Sequence, residues 1–242
     1  LGGIAGIVLR ANIDKCWMSG TISDKVGYHD IGGIAAYSSD NEITNCFNMA
    51  AIQAKRAAFG SSGSSDDGDT HTGGIAGSVM DTKMHNCYNA GTIIKSDQSD
   101  MVGGIVGFLS VKYVSTSNQP MRMEGQSHID NCFNTGQVMS SAANSHKGIW
   151  GYQFISNSYK GDSPDKQCLF NVMFDQQLNG FRDERFGKDT RELTGKLPAG
   201  FDASIWSVEA GKYPVLKTFA GIQAQELASS PVMLREIDNA NK

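Results

Sequence analysis

Proline is scarce in this chain, at 5 of 242 residues. Charge is thin too: 21 basic and 25 acidic side chains leave a formal net charge of −4. That balance lacks the basic stripe a nucleic-acid partner requires. No apolar run approaches the roughly 18 residues needed to cross a bilayer. No signal-peptide pattern opens the chain either. It starts in mid-pattern at Leu1-Gly2-Gly3 and reads as a trimmed piece of a longer protein. Any membrane attachment is therefore expected in regions outside this sequence.

Catalytic signatures are also missing. The five histidines are His29, His71, His85, His128 and His146, and none stands four residues from another. A helix-borne zinc pair is thereby excluded. There is no GxSxG elbow and no Walker A string. The serines lie in loops away from histidine, which leaves a Ser–His pair unsupported. The sequence predicts no catalytic residue, no metal ligand and no cofactor.

What is present is glycine, at 28 residues, and repetition. GGIAG at Gly2 recurs as GGIAA at Gly32, GGIAG at Gly73, GGIVG at Gly103 and a worn GIWG at Gly148. A second string follows: IDKCWMSGTI from Ile13, ITNCFNMAAI from Ile43, MHNCYNAGTI from Met84, IDNCFNTGQV from Ile129, and a degenerate ISNSYKG from Ile155. The steps between Cys16, Cys46, Cys87 and Cys132 are 30, 41 and 45 residues. The excess sits in two polar insertions, Ala54–Thr72 and Lys112–Ser127. Equal cores with variable loops predict a stack of similar coils. The apolar runs are four to six residues long and bounded by Gly, Asn, Ser and Asp, so they predict strands and turns. Strands of successive coils should pair in parallel at a rise of ~4.8 Å. Five or six coils would make a rod on the order of 25–30 Å long.

In-register stacking puts like side chains in columns. The cysteine column is Cys16, Cys46, Cys87 and Cys132, with Ser158 in the fifth place. Stacked side chains point the same way, whereas a disulfide needs Cβ atoms ~3.8 Å apart, so small buried thiols are expected instead. Cys168 has no place in this column. One asparagine column runs Asn45, Asn86, Asn131 and Asn157, with Lys15 in the first copy. A second runs Asn48, Asn89 and Asn134, with Met18 in the first. Both are expected to bond each other and turn backbone. The aromatic column Trp17, Phe47, Tyr88, Phe133 and Tyr159 is expected in the core; turned outward it would mark a partner surface. Ile43 and Cys46 are three apart and can both face inward only if the chain bends at Asn45.

After Gly161 the pattern changes. Cys168–Gly180 reads as a last strand pair with a turn, and Phe181–Leu193 as a charged loop or short helix. Leu193–Lys217 carries Phe201, Trp206, Tyr213 and Leu216, bulk suited to capping an open coil. The expected organisation is a repeat domain at 1–180, a capping segment at 181–219, and a tail or linker to a further domain at 220–242.

The copies GGIAG…NCYNAGTI resemble the GLUG-motif repeat, whose pattern is a GGLVG-like string, a spacer and NCYSTGxV. The ending GFDASIWSVEAGKYPVLK is similar to the segment found after such repeats. The resemblance covers about residues 1–217. It implies an all-β, right-handed parallel β-helix-like solenoid of about 30-residue coils with a C-terminal cap. It also implies an exported, adhesin-like surface protein of the kind common in gut Bacteroides-type bacteria. Some metallopeptidases that cleave immunoglobulin A carry such repeats, but no HExxH occurs here. The expected function is a non-enzymatic surface stalk or adhesin, extracellular or at the cell surface, binding a host or dietary glycan or an extracellular protein. Loops held by a scaffold are the usual contact sites, which singles out Phe59, Asp66, Asp67, Asp69, Tyr113 and Arg122 in the two insertions. The three aspartates lack the spaced ligands of an EF-hand and read as a solvated loop. The alternative is a carbohydrate-active β-helix enzyme, a polysaccharide lyase or glycoside hydrolase. That chemistry needs two carboxylates on one cleft. Asp14 and Asp130 share a column but stand apart, with Thr44 and His85 between them.

Overall fold

The computed structural model describes residues 1–24, 30–54, 71–95, 101–116, 119–140, 146–153, 169–179 and 182–222. Phe59, Asp66, Asp67, Asp69, Cys168 and the copy at Ile155 lie outside them. The chain divides into two compact units, Leu1–Thr190 and Arg191–Lys242.

In the first unit each repeat breaks into short strands, and each strand joins its own parallel sheet. A leading sheet of four is made from Asp30–Gly32, His71–Gly73, Met101–Gly103 and His146–Lys147. A long sheet of nine includes Ala5–Leu9, Ala35–Thr44, Ala76–His85 and Val106–Thr116. A six-stranded aromatic sheet contains Trp17–Met18, Phe47–Asn48, Tyr88–Asn89, Phe133–Asn134, Met173–Asp175 and Gly187–Lys188. A trailing sheet of four holds Thr21–Asp24, Ala51–Ala54, Ile93–Lys95 and Val138–Ser140. The set of strands from one repeat is called a rung below.

The single right-handed solenoid expected from the sequence is therefore corrected. Hydrogen bonding divides the unit into several separate parallel sheets, with few and short helices among the described residues, such as Gln176–Asn179. Most of the segment expected as a cap, from Arg191 on, lies in the second compact unit. The physical cause is the backbone inside each repeat. Lys15, Asn45, Asn86, Asn131 and Asn171 all sit in the left-handed region, with φ between 49° and 53°. Asparagine tolerates that region better than most residues. The turn stops the long strand and starts a new one in another direction. It also lets Ile43 and Cys46 share one core, both fully buried. A second set of left-handed bends, Arg10, Asp40 and Asp81, was not apparent from the sequence.

Pairing within each sheet is in register. Ile13 lies on Ile43, Ile43 on Met84, Met84 on Ile129, and Ile129 on Leu169. The interior holds Ile34, Ile75, Ile105 and Ile149 in one buried line. Each such side chain contributes about 2 kcal/mol by leaving water. The fifth rung differs from the sequence expectation: Leu169–Asp175 holds the place assigned to the copy at Ile155. Asn171 follows Asn131, and Met173 lies on Phe133. Val172 and Met173 thus stand where Ser158 and Tyr159 were expected.

The insertion at Lys112–Ser127 is not a loop. Val106–Thr116 pairs antiparallel with Gln119–Gln126 to make a ribbon. Its root is the second bend: Met80 pairs with Ser110 and Lys83 with His128, so the ribbon leaves and returns opposite Asp81 and Thr82. The Thr82 amide donates to Ser127 Oγ at 3.1 Å and seals the root.

The second unit has its own small core of Leu193, Phe201, Trp206, Leu216 and Phe219. Trp206–Ser207 pairs antiparallel with Val215–Leu216. The Phe201 and Trp206 ring centroids are 5.0 Å apart.

Candidate functional site

The recurring polar residues of the repeat form a ladder through the first unit. Asn48 Nδ2 donates to Asn89 Oδ1 at 2.8 Å, and Asn89 Nδ2 donates to Asn134 Oδ1 at 2.8 Å. Each side chain also closes its own turn. Asn89 Nδ2 donates to Gly91 O and the Gly91 amide donates back to Asn89 Oδ1; Asn48 and Asn134 do the same two residues ahead. All three are fully buried. A buried amide is tolerable only when its donors and acceptors are matched, and each internal bond then adds about 1 kcal/mol net.

The second glycine of each GG string exists to make room for that ladder. A Cβ on Gly33, Gly74 or Gly104 would run into the carboxamide of Asn48, Asn89 or Asn134 and into the glycine carbonyl of the next rung. The two halves of the repeat signature, GG and NCxN, are one packing arrangement.

Cys16, Cys46, Cys87 and Cys132 are free thiols, the last three buried. Each donates to the carbonyl two residues back: Cys46 to Thr44 at 3.0 Å, Cys87 to His85 at 3.3 Å and Cys132 to Asp130 at 3.2 Å. Burial pushes the Cys87 thiol well above its ordinary range, so it stays protonated and unreactive at neutral pH. Val172 continues the column in the core.

The aromatic column is stacked, with Phe47, Tyr88 and Phe133 buried and Trp17 partly exposed. Trp17, Phe47, Tyr88 and Phe133 follow one another at centroid spacings of 5.7, 5.1 and 5.1 Å, with planes within 7°. Burial alone pushes the Tyr88 phenol well up.

Two histidine–carboxylate contacts bridge rungs, beside a Lys83–Glu42 ion pair at 3.5 Å. His71 Nδ1 lies 2.8 Å from Asp30 Oδ1, with the His71 ring stacked 4.4 Å from Phe108. His85 Nδ1 lies 3.8 Å from Asp130 Oδ2. The first was missed in the sequence, although DIGG and HTGG hold Asp30 and His71 at the same place before the glycines. Asp14 accepts from Thr44 Oγ1 and Asn45 Nδ2 at 2.9 and 2.8 Å. Desolvation opposes ionisation there. The bonds from Asn45, Thr44 and Lys15 outweigh it and hold the carboxyl below its usual range. Asp14 is thus committed to its neighbours in the second rung, far along the column from Asp130.

Of the residues singled out for binding, Tyr113 and Arg122 lie in ribbon strands, opposite Met123 and Val114 respectively. The first insertion departs elsewhere, between the trailing strand Ala51–Ala54 and the leading strand His71–Gly73. The two insertions are therefore rooted at different corners. Among the described residues no cluster of three or more His, Cys, Asp or Glu side chains is placed to hold a metal ion. Comparison with protein-family models, with curated proteins and with solved structures finds no match to this chain.

Proposed function

We propose that the chain is a non-enzymatic module of the bacterial cell surface, akin to GLUG-motif repeat proteins, that holds contact elements on a rigid stack. Its partner is a host or dietary glycan or an extracellular protein. The observation that supports this is the buried Asn48–Asn89–Asn134 ladder with its matched glycines. The repeat spends its recurring polar groups on cohesion between rungs, and variation is concentrated in the insertions. The ribbon carrying Tyr113 and Arg122 is the contact element, because it is inserted at the bend that the first three rungs turn through Arg10, Asp40 and Asp81 alone.

A glycan array probed with the whole chain tests this. Saturable binding without product release is expected, and replacing residues 111–126 with a two-residue link should abolish it while the thermal midpoint holds. Reducing ends liberated from a polysaccharide would instead establish the carbohydrate-active enzyme.

A further inference from the structure

The outward face of the long sheet carries two side-chain columns beside the root of the ribbon. One runs Asp14, Thr44, His85, Asp130 and Phe170 from rung to rung. The other runs Glu42, Lys83 and His128. Four places in the first column hold a polar side chain. The fifth holds Phe170, which is 46% exposed. Leu169, the residue before it, is buried in the core, so strand alternation turns the Phe170 ring outward. The His128 imidazole stacks on that ring, with centroids 6.2 Å apart and planes 14° from parallel. Asp130 pairs in register with Phe170, and its Oδ2 is 3.8 Å from His85 Nδ1. On the next residue, Asn171 Nδ2 donates to Asn131 Oδ1 at 3.1 Å.

A lone exposed ring is ordinary. What distinguishes this one is its setting. Imidazoles at His85 and His128, a carboxylate at Asp130 and carboxamides at Asn131 and Asn171 stand around one apolar surface, so donors and acceptors are both at hand. A pyranose has the complementary form. Its rim hydroxyls donate and accept, and its C–H face lies flat on an aromatic ring. A purely apolar side chain would cover those polar groups without matching them. A cation would meet exposed Lys83 next to His128 in the same column. The place is also continuous with the ribbon, whose return strand Gln119–Gln126 runs on into His128–Asp130.

We propose that Phe170, with His128 and Asp130 beside it, is a subsite for one pyranose unit of a glycan at the foot of the ribbon. The inference rests on the reading of the chain as a glycan-binding module and adds a site outside both insertions.

The probes are the methyl glycosides of glucose, galactose and mannose, titrated against the whole chain by saturation-transfer NMR, with tetramethylammonium as the cationic control. Saturable binding of at least one glycoside is expected, with the strongest transfer to the C–H protons of one ring face. Phe170→Ser should weaken it about tenfold, the factor that one aromatic contact represents. Phe170→Trp should restore it, and the thermal midpoint should hold in both because the ring is exposed. His128→Ala should weaken the same glycoside, which reports on the site even if a Phe170 variant unfolds. Three results overturn the proposal: no saturable binding of any of the three, unchanged affinity in Phe170→Ser and His128→Ala, or tetramethylammonium bound more tightly than the glycosides. If removing the ribbon leaves array binding intact while Phe170→Ser loses the glycoside, the ribbon reading fails and this one stands.

Discussion

In three successive rungs of the aromatic sheet the ladder place holds Asn48, Asn89 and Asn134; in the rungs flanking them it holds Met18 and Phe174, with Gly187 beyond Phe174. All five face the same line of glycines. In the middle, each amide finds a neighbour above or below, so a polar side chain is matched. Beyond Phe174 the column continues with Gly187, which has no side-chain amide to match, and an apolar ring stands at the ladder place. The Phe174 ring fills the space beside Gly148, where no asparagine follows. Burying an amide is thus a property of the stack rather than of the residue. The difference between middle and flanking rungs is what the unmatched donor would cost.

Four substitutions break or sharpen that comparison. Gly74→Ala puts a Cβ into the Gly104 carbonyl and the Asn89 carboxamide at once. Overpacking against backbone should cost about 4 kcal/mol or more, seen as a collapse of the urea midpoint. Next is Asn89→Leu, which removes four bonds and leaves Asn48 Nδ2 and Asn134 Oδ1 each with only the bond to its own turn. A loss of about 3–4 kcal/mol is expected in denaturant unfolding. Met18→Leu, at the end of the same line, should change stability by less than about 1 kcal/mol. Equal losses at Asn89 and Met18 would refute the distinction between middle and end. Cys87→Ala should cost about 1–2 kcal/mol, the loss of a small buried side chain with one weak donor.

The smallest effect is at Tyr88. Its phenol is raised in the folded state, so the neutral form is favoured there. The stability tied to it is complete below the unfolded pKa of about 10 and is lost as pH rises above that. Tyr88→Phe copies Phe47 and Phe133, the neighbours in the stack. It should leave neutral stability within about 0.5 kcal/mol, and thermal melts between pH 9 and 11 should show a shallower alkaline decline. An unchanged alkaline slope would mean that Tyr88 is not the group responsible.

Much of the interior was legible because period and residue identity are both one-dimensional. The columns through Cys46, Asn48 and Phe47 follow once GG and NCxN are aligned, and the bend at Asn45 follows from Ile43 and Cys46 being three apart. The fifth rung was misplaced because ISNSYKG keeps the letters of the motif. LFNVMF keeps only its shape, with Val172 for cysteine and Phe174 for asparagine. The ribbon was misread as a loop because Lys112–Ser127 is polar and contains Pro120, a composition shared by loops and by exposed edge strands. Tyr113 and Arg122 were therefore singled out as loop residues and not placed on strands.

The sequence by itself determined the period, the stacking register and the residues that face inward, since these depend on like side chains meeting like. Only the tertiary structure decided how each repeat is divided among sheets, which neighbours bond across rungs, and where the insertions leave the stack. Those depend on left-handed bends at Arg10, Asp40 and Asp81 and on pairings such as Asp30 with His71. Such features arise between residues far apart in the chain, where no local pattern announces them.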